Sequence, residues 1–110
     1  MIKVIVKKED NFYKEVEITG HANYDKYGKD IVCSSVSSIV ITTINAIISL
    51  DKDAINYDDT LGVKIEVLKK DEVTNKLIEN MLKLLYELQR QYEKTIKFLG
   101  MKVNPYPYIK

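Results

Sequence analysis

Apolar side chains open the chain at every second position. Ile2, Val4 and Val6 alternate with Lys3, Ile5 and Lys7, and after Glu9, Asp10 and Asn11 a second alternation sets Phe12, Val16 and Ile18 opposite Tyr13, Glu15, Glu17 and Thr19. Period-two alternation interrupted by a polar turn predicts a β-hairpin with one face toward a core. The polar stretch from Gly20 to Asp30 holds two of the four glycines and predicts an exposed functional loop. From Ile31 to Leu50 the apolar run is too long for a strand of a small domain. There Val36, Val40, Thr43 and Ile47 recur at helical spacing, predicting a largely buried helix.

A second hairpin is expected from Ala54–Tyr57 and Val63–Leu68, turning at Asp58, Asp59 and Gly62. Asp71 or Thr74 can cap a second helix, whose stripe runs through Val73, Leu77, Ile78, Met81, Leu85, Leu88, Tyr92, Ile96 and Leu99 to a stop at Gly100. Met101–Val103 can add a short strand before Pro105 and Pro107 hold the tail extended. The element order is then ββαββαβ. It predicts an α+β fold of two layers, an antiparallel sheet with both helices packed on one face, and a single domain over residues 1–110.

Composition narrows the function classes. The 110 residues are 45% hydrophobic and 30% charged, as in an ordinary folded domain. Seventeen basic against sixteen acidic residues leave a net charge of +1, so no strong field attracts nucleic acid or anionic lipid. Arg90 is the single arginine, which argues against direct sequence-specific nucleic-acid readout. Ser34, Ser35, Ser37, Ser38, Thr42, Thr43, Asn45 and Ser49 interrupt the longest apolar run, which is read as a buried element and not a membrane span. One unpaired cysteine and no export signal at Met1–Lys8 fit a cytoplasmic protein. One His and one Cys leave a transition-metal site short of ligands, and no phosphate-loop pattern occurs, so neither metal nor cofactor is expected.

His21 and Cys33 are the sole histidine and the sole cysteine, and they flank the polar loop. A thiolate is favoured beside an imidazolium or at a helix N-terminus. With Asp30 as N-cap, Cys33 would lie in the first helical turn, where free backbone N–H groups can also steady an oxyanion. The plainer reading makes Cys33 a small core residue and His21 a loop residue. Two other functions compete. A non-catalytic ribosome-associated or RNA-binding module would draw on the lysines and tyrosines, and a redox-sensing thiol would lack a second cysteine to resolve it.

The continuous stretch from Gly20 to Ser37 changes the balance. It resembles the ribosomal-processing cysteine protease (Prp) family, whose pattern runs G-H-A, a short loop with a glycine, then D-I-V-C-S-A-V-S. The chain matches at Gly20, His21, Ala22, Gly28, Asp30, Ile31, Val32, Cys33, Ser34, Val36 and Ser37, with Ser35 in place of the commoner alanine. The resemblance implies Cys33 as nucleophile and His21 as general acid/base, with Asp30 either orienting His21 or capping the helix. It further implies an endopeptidase that removes the N-terminal extension of bacterial large-subunit ribosomal protein L-twenty-seven, and a homodimer. Gly20, Ala22, Tyr24, Tyr27, Gly28, Ser34 and Ser37 are the accompanying candidates for substrate contact.

Overall fold

A computed structural model describes residues 1–20, 26–60 and 62–100, with the backbone alone described at 26–30. The order is β1 (Ile2–Glu9), β2 (Phe12–Thr19), α1 (Lys26–Leu50), β3 (Ile55–Asp58), β4 (Val63–Val67), α2 (Glu72–Gln91) and β5 (Ile96–Leu99). The five strands form one sheet in the order β3-β4-β2-β1-β5. The expected ββαββαβ order and α+β class hold. The sheet is mixed, however, because β5 runs parallel to β1 while every other pairing is antiparallel. A parallel neighbour needs a crossover connection, and α2 supplies it.

Register explains the two layers. Val4 pairs with Ile18 and Val6 with Val16, Val16 pairs with Ile65, and Ile2 with Ile96, so these side chains share one face. All of them are buried in one core cluster with α1 residues Val36, Val40 and Ile44 and α2 residues Ile78, Met81 and Leu85. On the opposite face Lys7 and Lys64 both reach Glu15, at 3.6 and 3.8 Å.

Three further expectations are corrected. Tyr13, and not Phe12, enters the core. The β1–β2 register shifts between Lys7 and Lys8, which pair with Glu15 and Tyr13, so Lys14 is an extra residue that flips the alternation. Asn75 of α2 holds this bulge, its Oδ1 accepting from the Tyr13 N–H at 2.7 Å. At the hairpin tip Asp10 and Asn11 both have positive φ, 53° and 68°, as a two-residue turn between twisted strands requires.

The second correction concerns α2, which stops at Gln91 and does not continue to Leu99. Tyr92 closes it, Lys94 takes φ 68°, and Ile96 and Phe98 turn into the sheet beside Ile2 and Val4. The last strand is therefore Ile96–Leu99, while the expected strand at Met101–Val103 lies outside the described residues. The third concerns α1, which begins at Lys26 and takes in half of the predicted loop. Among the described residues, Ile31–Leu50 is the one stretch long and apolar enough to cross a bilayer. Its apolar side chains Val32, Val36, Val40, Ile44 and Ile47 are buried in the core, with Ser34, Ser38, Thr42, Asn45 and Ser49 outside.

Two stability measurements follow from this packing. Leu82 is fully buried, so Leu82→Ala should cost about 2–5 kcal/mol in urea unfolding. Asp71 caps α2, accepting from the Thr74 hydroxyl at 2.8 Å and from the Thr74 N–H at 3.2 Å. These bonds hold its carboxyl below the usual range, so the stabilisation is present at neutral pH and lost as pH falls through the depressed value. Asp71→Ala should lower the Tm at pH 7, and the gap to wild type should close in acid below about pH 4.

Candidate active site

The candidate site is built where α1 crosses the ends of three strands. Ile2 opens β1, Ile18 and Gly20 close β2, and Gly62 and Val63 open β4. With α1 they enclose a cavity of about 230 Å³. Its floor is buried and aliphatic: Ile2, Ile18, Val36 and Val40. Its rim is more open, formed by Gly20, Cys33, Ser37, Ile41, Gly62 and Val63.

Both rim glycines are required by the backbone. Gly20 has φ +90°, and a Cβ there would run into the carbonyl oxygen of Met1. Gly62 has φ +100°, and its Cβ would lie 2.6 Å from the carbonyl oxygen of Ile18. An L side chain is strained at these dihedrals as well as crowded. Bare backbone on two sides of the rim also lets another chain approach closely.

Cys33 is a free, half-buried thiol on this rim. The sequence reading placed it in the first turn of α1 behind an Asp30 cap. With α1 starting at Lys26, Asp30 is the fifth helical residue and Cys33 lies about two turns in. Asp30 is therefore not the N-cap. The N–H groups that lack helical acceptors belong to the first four residues of the helix, ahead of Ile31, Val32 and Cys33. The macrodipole also fades within one turn, so helix-end activation of the sulfur is withdrawn.

Of the other candidates, Gly20 and Ser37 line the same cavity as Cys33. Ser34 does not: it points into a separate shallow groove between the helices, beside Ser38, Leu84 and Gln91. His21, Ala22 and Tyr24 lie outside the described residues, as do the side chains of Tyr27 and Asp30, while Gly28 belongs to the first turn of α1. His21 directly follows Gly20 in the chain. No cluster of three His, Cys, Asp or Glu suited to a metal occurs among the described residues.

The cavity also contains residues that sequence reasoning had assigned only to the core or left unassigned. Ile41 is the clearest, 56% exposed although aliphatic, two turns beyond Cys33. Among the described residues, no charged side chain lines the cavity. The close ion pairs among the described residues lie elsewhere, Lys70 with Asp10 at 2.5 Å and Lys69 with Asp51 at 3.0 Å. Chemically, the described residues present one thiol and one hydroxyl at the mouth of a small aliphatic pocket.

Comparison with known proteins bears on that chemistry. The family model described as "Cysteine protease Prp" matches residues 1–97. A relative from Staphylococcus aureus, the ribosomal processing cysteine protease Prp, is 31% identical over 98 residues, covering 84% of this chain and 92% of its own. Crystal structures of the essential ribosomal processing protease Prp from S. aureus superpose over 92% of this chain and all of theirs. The complex with a covalently linked product peptide has a TM-score of 0.79 at 30% identity, and the complex with a substrate peptide 0.78 at 29%.

The rim geometry is open to direct test. Gly20→Ala should destabilise the fold by at least about 1 kcal/mol in chemical denaturation, because both φ and space oppose a Cβ. An unchanged midpoint would show that the β2 end is free to rearrange.

Proposed function

The chain belongs to the Prp family of cysteine proteases, and on that premise we propose that it removes the N-terminal extension of ribosomal protein L-twenty-seven, with Cys33 as nucleophile and His21 as general acid/base. The observation that carries the reading is the free thiol of Cys33 on the rim of a pocket shared with Gly20, the residue before His21. The relatives' designation as ribosomal processing proteases adds the setting, and their structures add a bound peptide as the class of substrate.

The chemistry follows from the pair. His21 takes the Cys33 proton, and the sulfur attacks the scissile carbonyl carbon to form a tetrahedral adduct. The C–N bond breaks as the imidazolium gives its proton to the leaving amine. A thioester joins the N-terminal fragment to Sγ. Water, losing a proton to His21, attacks this thioester, and the adduct collapses to a carboxylic acid and the regenerated thiol. With the helix start withdrawn as a source of positive charge, activation of Cys33 rests on His21. Asp30 orients His21 in this reading; the start of α1 ahead of it speaks against the alternative role of helix cap. The working form is a homodimer in the cytoplasm.

A peptide spanning the L-twenty-seven extension tests the proposal. Wild type should cleave it at one bond, and Cys33→Ala and His21→Ala should each lower kcat/KM by at least about a hundredfold. Asp30→Asn should lower kcat with little change in KM. Cleavage that survives loss of Cys33 or of His21 would remove the pair from the mechanism. Sedimentation of the purified chain at a single-subunit mass would remove the dimer.

A further inference from the structure

The two helices meet solvent differently. From Ile31 to Leu50, α1 has no charged residue, in a chain that is 30% charged. α2 divides its sides: Ile78, Met81 and Leu85 are buried, while Glu72, Lys76 and Arg90 are exposed. A helix that is apolar overall and charged on no side is ordinarily covered all round. Ile31–Leu50 is apolar enough to cross a bilayer, yet only 33% of it is buried. Its outward row is Ile31, Ser35, Ser38, Thr42, Asn45 and Ser49, exposed except for the half-buried Ser35. Beside this row a groove of about 460 Å³ opens between the helices, with Ser38, Ile39, Leu84 and Leu88 on its walls. Leu84 is 41% exposed there.

We infer that this side of α1, with the near edge of α2, is the surface on which a second copy of the chain docks about a two-fold axis, α1 against α1. The inference rests on the homodimer reading above and deepens it by naming the face. Spacing supports it: the outward row recurs by alternate steps of four and three residues, the repeat of helices that pack along their length. Its side chains after Ile31 are small, which lets two helix axes approach closely. Charge supports it too. A two-fold axis lays a patch on its own copy, so a net charge there would repel itself. Among the described residues Glu87 is the one charged side chain on the groove, and Arg90 of the same helix faces it at 3.7 Å.

Covering the row leaves few hydroxyls stranded. Ser49 donates to the Ala46 carbonyl at 2.8 Å, the same kind of bond by which the buried Thr43 hydroxyl reaches the Ile39 carbonyl at 2.9 Å. Twenty helical residues run about 30 Å. A strip of that length and about 20 Å wide spans about 600 Å², of the order of the roughly 800 Å² per partner that stable pairs bury. The open face of the sheet is the poorer candidate, because Lys7, Glu15 and Lys64 would have to be stripped of water there.

Sedimentation equilibrium of the full chain over a dilution series tests the face. Wild type should run as a dimer, and the double variant Thr42→Glu with Asn45→Glu should raise the dimer dissociation constant at least about a hundredfold through like-charge repulsion. Lys76→Glu, on the charged side of α2, should leave it within about twofold. Both α1 positions are exposed, and far-UV circular dichroism checks that the double variant is folded. A second readout needs no loss of association: single cysteines at Ser38, Thr42 or Asn45 in a Cys33→Ala background. Under mild oxidation at least one should give a disulfide-linked dimer, and Lys76→Cys should give none. Wild type at single-subunit mass throughout would remove the dimer and this interface together. A wild-type dimer that the two glutamates leave intact, and that no α1 cysteine cross-links, would keep the dimer and overturn the interface.

Discussion

One apolar seam on α1 governs the rest of the structure. Val32, Val36, Val40, Ile44 and Ile47 recur every three or four residues and are buried together in the core. Each is β-branched, so each enters the core with little rotamer freedom left to it. Burying such a side chain is worth on the order of 1.5–3 kcal/mol. Turning the helix by one residue would exchange Val36 for Ser37 and Val40 for Ile41, leaving the Ser37 hydroxyl in an apolar core. The seam therefore fixes the rotation of α1. Cys33, Ser37 and Ile41 each follow a seam residue by one position, which places them about 100° around the helix from it. That is the side on which the cavity opens.

The opposite wall is set by the sheet. Pairing of Ile18 with Val63 brings the end of β2 beside the start of β4, and pairing of Ile2 with Ile96 fixes the start of β1 at the same end. Gly20 and Gly62 leave these strands at positive φ, tight against the carbonyls of Met1 and Ile18. The free thiol of Cys33 on a rigid helix thus faces short strand exits with little side-chain bulk. Chemistry carried where connecting segments leave a rigid scaffold is a common division of labour in enzymes. Here the tight glycine backbone makes those exits part of the scaffold as well.

Legibility in the sequence tracked how local the determining contact is. The alternation at Ile2, Val4 and Val6 was readable because strand periodicity is a property of neighbours. The Tyr13 and Phe12 exchange was not, because it depends on a bulge at Lys14 and on Asn75, more than sixty residues away. Ile96 and Leu99 fit the helical stripe of α2, yet they pair with Ile2 and Ile5, where tertiary hydrogen bonding overrides spacing. The Gly20–Ser37 motif pointed to Cys33 and His21, whereas the apolar run placed the start of α1 near Ile31, five residues late, and with it the option of Asp30 as a cap. The pocket was invisible beforehand because its lining comes from β1, β2, α1 and β4 together, and no short stretch contains it.

With Cys33 two turns inside α1, the proposed function depends on covalent catalysis at this thiol. Thioester formation is its distinguishing step, since a non-catalytic binding module or a redox-sensing thiol would never carry the substrate's acyl group. Acid-quenched mass spectrometry of the protein mixed with the extension peptide measures it. The account predicts a transient mass increase equal to the N-terminal fragment less one water, located on Cys33. Cleavage with that acyl group on another residue, or with none detected under single-turnover conditions, would contradict it.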